Sequence, residues 1–192
     1  MTSINLFTKC PYSADTKTRM KGFLSNEERI FLSKEMLVNI LREMDKVTSA
    51  VNKNIWVYPN YGSYNLGKII NGYNFIKKTQ VGRNLEERMD HCLKSEVADN
   101  NKIIIFGSDI PSLDHEIIED AIESLSNNEV VIGPSVDGGY YLLGTTLYQK
   151  GIFNSKANDL NFLISYSIKN KFRYKLLREL KDIDNPKDLL SI

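Results

Sequence analysis

The chain reads as an α/β domain with a mostly parallel sheet and helices on both faces. Apolar, β-branched runs alternate with amphipathic helical segments along its whole length, the pattern of strands joined by crossover helices. The run Ile103-Ile104-Ile105-Phe106 is continuously apolar, as strands covered on both sides are. It stops at Gly107 and then presents Asp109 in a turn, and a second run ending at Gly133 is followed in the same way by Asp137. Strand ends of this kind deliver carboxylates to the carboxyl edge of an open sheet, where α/β proteins bind ligands.

The elements follow in order. Ile4 to Thr8 is a first strand, and Lys9 to Arg19, with Pro11 and several small polar residues, a loop. From Asn26 to about Val47, Ile30, Phe31, Met36, Leu37, Ile40, Leu41 and Met44 recur at helical spacing, with Glu27 and Glu28 near the positive helix start. Ile55 to Tyr58 is a second strand, and Tyr61 to Gln80 reads as a helical turn or two followed by a short extended piece. Asn84 to Val97 is helical, Lys102 to Phe106 the central strand, and His115 to Leu125 a helix that Asp114 can cap. Glu129 to Gly133 and Tyr140 to Thr145 are strands flanking the Asp137-Gly138-Gly139 turn. A helix near Asp159 to Lys169, a strand at Arg173 to Leu177 and a short helix after Pro186 complete the series.

A chain of 192 residues can bury one sizeable core, so a single domain over residues 1–192 is expected. Its 25 basic residues are balanced by 24 acidic ones. Nothing in that balance asks for a nucleic-acid backbone or an anionic membrane surface as partner, since both favour concentrated positive charge. No apolar run approaches the ~20 residues of a membrane span, and Met1 leads straight into a strand. A cytoplasmic protein with no membrane and no nucleic-acid partner is therefore expected. Cys10 and Cys92 stand alone with no zinc or redox spacing, and His91 and His115 are likewise isolated.

Four polar groupings are candidates for chemistry. Lys17 and Arg19, in the first loop, suit a diphosphate if they sit beside a helix amino end, and are solvated surface cations otherwise. Asp109 is suited to holding a cation at the end of the central strand, the alternative being a turn or capping role. Asp137 with Gly138 and Gly139 is either a tight hairpin or a place where a substrate approaches the backbone and Asp137 accepts its proton, with Tyr140 beside it. Asp182 and Asp184 precede Pro186; Asp184 can cap the last helix, and both can add a carboxylate to the cation of Asp109. No GxxxxGK[ST] and no strand-bound GxGxxG is present.

Five ordered segments then resemble one family: Phe7-Thr8-Lys9-Cys10-Pro11 with Lys17-Thr18-Arg19-Met20; Gln80 with Arg83 to Met89; Gly107 to Leu113; Gly133 to Gly144; and Asp182 to Leu189. They are similar to a bacterial glycosyltransferase-like family, the radical-SAM or selenodomain-associated transferases, in the nucleotide-diphospho-sugar transferase superfamily. That superfamily also includes guanylyltransferases for phospholactate and the molybdenum cofactor. The resemblance implies a GT-A type α/β/α sandwich. It implies nucleotide contacts from Lys9, Lys17, Arg19, Arg88 and Ser108, with Mg²⁺ or Mn²⁺ held by Asp109, Asp182 and Asp184. Asp137 and Asp109 are then the catalytic candidates, and Gly138, Gly139 and Tyr140 face the acceptor. The chain departs from the family pattern at Ala14 and Glu86, where glycine is usual, at Asn84, where aspartate is usual, and in Asn154 to Asn161, which lacks the expected tryptophan.

The leading expectation is a metal-dependent glycosyltransferase that passes a sugar from a nucleoside-diphosphate sugar to a small acceptor. The alternative is a nucleotidyltransferase, guanylyltransferase-like, acting on a phosphorylated small molecule; the absence of its usual L-x-G-G-x-x-x-R-M opening weighs against it. A non-catalytic nucleotide-binding protein is the third possibility.

Overall fold

The computed structural model describes residues 1–13, 16–59, 64–153 and 159–190. Its elements are β1 (Thr2–Lys9), a 3₁₀ turn (Thr18–Met20), α1 (Asn26–Lys46), β2 (Val51–Tyr58), α2 (Tyr64–Ile70), β3 (Ile76–Thr79), α3 (Leu85–Glu96), β4 (Lys102–Gly107), α4 (His115–Ser124), β5 (Val130–Pro134), β6 (Tyr140–Thr145), α5 (Leu160–Lys169), β7 (Tyr174–Leu176) and α6 (Pro186–Leu189). The strands form one seven-stranded sheet in the order β3-β2-β1-β4-β6-β5-β7. Only β6 runs against the others, pairing antiparallel with β4 and β5. The short turn after β5 is the cause, since a hairpin can only return the chain antiparallel.

Side chains of the central strands alternate between two cores. Ile4 and Leu6 of β1 and Ile104 and Phe106 of β4 pack with Leu37, Ile40, Leu41 and Met44 of α1 and with Ile118 of α4. On the opposite face Phe7, Ile103 and Ile105 meet Met89, Cys92 and Leu93 of α3 and Leu163 of α5. The second face also buries a polar cluster. Asn5 donates to Ser3 Oγ and the Ile104 carbonyl, both at 3.1 Å, and its Oδ1 accepts from Asn54 Nδ2 at 2.9 Å and Trp56 Nε1 at 3.0 Å.

Helix starts follow their caps. Ser25 and Glu28 form a reciprocal capping box at α1, and Asn84, Asp114 and Asp159 accept a backbone N–H at α3, α4 and α5. Asn84, which stands where the family pattern has aspartate, is itself the cap of α3. Glu86 lies inside α3, where no glycine backbone is needed. Two expectations need correction. The cap of α6 is Asn185; Asp184 is engaged by Lys17 and Arg19 instead. Phe31 is exposed, and the buried stripe of α1 opens with Arg29. Helical spacing from Met36, Leu37 and Ile40 leads back to position 29, and the guanidinium is accommodated because the Thr16 carbonyl accepts from it at 2.6 Å. Ala14, residues 61–63 and residues 154–158 of the altered segment lie outside the described residues.

α4 docks on α1 through a carboxylate. Glu43 Oε2 lies 2.9 Å from His115 Nδ1 and 3.2 Å from its backbone N–H. The Lys46 ammonium, and then the His115 contacts, hold the Glu43 carboxyl down at about 2 despite its partial burial. A carboxyl whose pKa is depressed on folding stabilises the fold above its ordinary value of 4.5 and ceases to do so as pH falls through the folded value. The urea midpoint of the wild type should therefore exceed that of Glu43→Gln at pH 6, and the gap should close between about pH 4.5 and 2. A gap constant down to pH 2 would contradict this.

Candidate functional site

The carboxyl ends of β1 and β4 and the amino end of β6 meet at one edge of the sheet, and a cleft opens there in two chambers. The first, about 240 Å³, is lined by Phe7, Thr8 and Lys9 of β1, by Leu85, Arg88 and Met89 of α3, by Gly107 to Ile110, and by Tyr140 and Asp182, among others. The second, about 300 Å³, is more polar and is lined by Thr16, Lys17, Thr18, Arg19 and Ser33. Lys9, Leu85, Ser108, Asp109 and Asp184 line both chambers, so they form one continuous site.

Lys17 lines the second chamber. Its backbone is left-handed (φ 46°, ψ 46°), which a non-glycine residue adopts only when its surroundings enforce it. The enforcement is visible: Thr16 Oγ1 donates to the Cys10 carbonyl at 2.9 Å, and Arg29 holds the Thr16 carbonyl. The Lys17 side chain is only 5% exposed. Its Nζ lies 3.0 Å from Asp109 Oδ1 and 4.0 Å from Asp184 Oδ1, and donates to the Ile183 carbonyl at 2.6 Å. Arg19, largely exposed, donates to Asp184 Oδ2 at 2.6 Å. The Ile183 N–H donates to the Asp109 carbonyl at 3.0 Å, tying the C-terminal segment to the end of β4.

In the first chamber the Arg88 guanidinium lies 3.6 Å from the centre of the Tyr58 ring, and its Nε donates to the Gly82 carbonyl at 3.3 Å. That loop requires glycine, because Gly82 has φ +146° and an added Cβ would sit 2.7 Å from the Arg88 amide nitrogen. Ser108 Oγ is 3.0 Å from Thr8 Oγ1. Tyr140 lies against the cleft, and burial, then the Glu86 charge, push its hydroxyl well above its ordinary range. Desolvation, followed by the charges of Asp137 and Asp184, raises the Asp182 carboxyl.

Of the expected site residues, the structure brings together Lys9, Lys17, Arg19, Arg88, Ser108, Asp109, Tyr140, Asp182 and Asp184. Asp137, Gly138 and Gly139 are outside the cleft lining. Asp137 Oδ1 accepts from Ser135 Oγ at 2.5 Å and from the Gly139 N–H at 2.9 Å, while Gly138 takes φ +87°. This is the hairpin-turn alternative of the sequence. Leu85, Thr18 and Ser33 line the cleft without having been singled out, and Arg29 orders its loop; the one available signal was the place of Arg29 on a buried helical stripe.

Among the described residues no three Asp, Glu, His or Cys side chains form a metal-binding group. Asp109 and Asp184 nevertheless aim hard oxygen donors at one amine. That suits Mg²⁺ or Mn²⁺ in a site where phosphate and water supply the other ligands, because Mg²⁺ commonly takes only one or two carboxylates. No described helix is long and apolar enough to cross a membrane.

This sheet order, with a ligand-sized cleft over its carboxyl edge, is the fold of the nucleotide-diphospho-sugar transferases, the GT-A type. A protein from Desulfovibrio desulfuricans G20 assigned to those transferases superposes with TM-score 0.88 at 23% identity, over 98% of this chain and 84% of the other. The 4-diphosphocytidyl-2C-methyl-D-erythritol synthase of Anaerococcus prevotii superposes with TM-score 0.66 at 12% identity, over 98% and 93%. The chain belongs to the DUF2064 family, described as an uncharacterized protein conserved in bacteria, which matches residues 48–157. It is also similar to 2-phospho-L-lactate guanylyltransferases: 29% identical to that of Methanocaldococcus sp. FS406-22 over 92% of this chain and 75% of the relative. With that of Methanocaldococcus jannaschii the identity is 27%, over 92% and 76%. These names bear on the transferase superfamily and not on the radical-SAM association.

Proposed function

We propose that the protein is a nucleotidyltransferase, in which a phosphorylated small molecule attacks the α-phosphate of a nucleoside triphosphate. An oxygen of the acceptor phosphate forms the new bond to the α-phosphorus. The bond from that phosphorus to the oxygen bridging to the β-phosphate breaks, and its electron pair leaves with pyrophosphate. The observation that carries this reading is the two-chambered cleft. An apolar chamber with room for a nucleoside joins, at Ser108 and Asp109, a polar chamber whose Lys17 and Arg19 suit the phosphates. The matched relatives, all named for guanylyl transfer, support this alternative over the glycosyl transfer that led the sequence expectations.

The chemistry also fits the residues present. A phosphate nucleophile is already ionised near neutral pH, so the turn role of Asp137 leaves no base missing. A hydroxyl acceptor would require one. Lys17 and Arg19 would bind the β- and γ-phosphates and neutralise the departing pyrophosphate, and Arg88 and Leu85 would line the nucleoside end. Asp109 and Asp184, with Asp182 beside them, would hold Mg²⁺ or Mn²⁺, which supplies charge neutralisation at the phosphoryl oxygens.

The test is pyrophosphate release from each of the four NTPs with Mg²⁺, against 2-phospho-L-lactate and other small phosphorylated acids, GTP being the first choice. Acceptor-dependent pyrophosphate release is expected. Nucleoside diphosphate released from a nucleotide sugar, with no pyrophosphate from any NTP, would overturn the proposal in favour of glycosyl transfer. Nucleotide binding without turnover across the set would favour a binding protein.

A further inference from the structure

Two of the carboxylates assigned to the cation, Asp109 and Asp184, are already neutralised by the protein's own cations. Lys17 Nζ contacts Asp109 and reaches Asp184, and Arg19 closes on the other oxygen of Asp184. Two negative charges thus face two positive charges at hydrogen-bonding range. Lys17 is buried and further anchored by the Ile183 carbonyl. A divalent cation approaching without nucleotide meets the Lys17 ammonium, itself only 5% exposed, where it would need to sit, and like charges at this separation repel.

We infer that Lys17 is an internal counter-ion that keeps the Asp109–Asp184 pair closed to divalent metal until a polyphosphate draws it away. The inference rests on the phosphate and metal roles proposed above, and it deepens them into an order of binding. Phosphate oxygens of an entering triphosphate compete for the Lys17 ammonium and the Arg19 guanidinium, as charge-assisted acceptors. Each cation so engaged leaves a carboxylate uncompensated, and two uncompensated carboxylates beside a phosphate chain make a site for Mg²⁺ or Mn²⁺. Metal binding is conditional on nucleotide, and by linkage the metal tightens nucleotide binding by the same factor. Lys17 therefore has two partners in succession, carboxylates before nucleotide binds and phosphates after.

The deciding measurement is Mn²⁺ binding to the whole chain without any nucleotide, read from the loss of the free-ion electron paramagnetic resonance signal. Wild type should bind Mn²⁺ weakly, and Lys17→Met, which keeps the length of the stem and removes the charge, should bind it at least about ten-fold more tightly. Adding Asp109→Asn to Lys17→Met should reverse the gain. Arg19→Met, at an exposed position, should give a smaller gain in the same direction and decides the matter if Lys17→Met does not fold. Equal Mn²⁺ affinity in wild type and the folded lysine variant, or in wild type and Arg19→Met where only that variant folds, would overturn the inference. No transfer reaction is involved, so that result would leave acceptor-dependent pyrophosphate release standing, and failure of the transfer assay would leave the Mn²⁺ result standing.

Discussion

Asp109→Ala is expected to lower turnover by roughly 10²–10³ and to abolish the metal dependence of nucleotide binding, with little change in thermal stability. The size of the effect follows from the place of this carboxylate, where the two chambers join and where the reacting phosphate would lie under the proposed function. The small effect on stability follows from its exposure. The side chain is 46% exposed, so its ion pair with Lys17 is screened on one side. The link from Asp109 to the C-terminal segment runs through its carbonyl and survives the substitution. Lys17 retains the Ile183 carbonyl and Asp184. Nucleotide titrations with and without Mg²⁺, alongside a melting curve, check both halves. Metal-dependent binding equal to wild type would remove Asp109 from the metal site.

Glu96→Ala should be the more damaging change to the fold, by about 2 kcal/mol, or a fall of roughly 4–8 °C in melting temperature. Glu96 ends α3 with its side chain almost fully buried beneath the sheet. A carboxylate in the last turn of a helix opposes the helix dipole, so its presence there needs compensation. Lys78 of β3 pairs with it, and Asn54 and Asn100 donate to it at 3.1 and 3.3 Å. Removing one member of a buried pair typically costs more than this, about 3–5 kcal/mol. Here the loss is smaller because Lys78 is 30% exposed and its ammonium can turn to water once its partner is gone. Urea denaturation of the single variants and of Glu96→Ala with Lys78→Ala measures the coupling. A pair contributing nothing would leave the two effects additive.

Much of the scaffold was legible because it is written locally. The strands announced themselves as apolar runs, and Asp114 was readable as a cap because an aspartate directly before an amphipathic run has few other local uses. The antiparallel β6 was implicit in the short Asp137-Gly138-Gly139 turn, although the strand alternation alone suggested a simpler sheet. The site was legible as a set of residues and not as an arrangement. Composition placed Lys17 on a surface, yet it is buried, because its environment comes from Asp109, Ile183 and Asp184, which no local pattern ties to it. Asp184 fits the start of α6 in the sequence, but Asn185 accepts the Lys187 N–H there while Asp184 meets Lys17 and Arg19. Arg29 was obscured because a cation on an apolar stripe is read as an interruption of the stripe, whereas here it secures the loop that carries Lys17.

The contact between Arg19 and Asp184 spans 165 positions of the chain, which bears on when the cleft comes into being. Closing so long a loop is entropically costly until the intervening sheet has formed. The polar chamber is therefore expected to assemble late in folding, by docking the segment around residue 183 onto a sheet already built, and substitutions at Lys17 or Asp184 should accelerate unfolding far more than they slow folding. The same segment is held by few backbone bonds, so it should open without global unfolding. The Ile183 amide, bonded to the Asp109 carbonyl, is then a hydrogen-exchange reporter of whether the cleft is assembled at any moment.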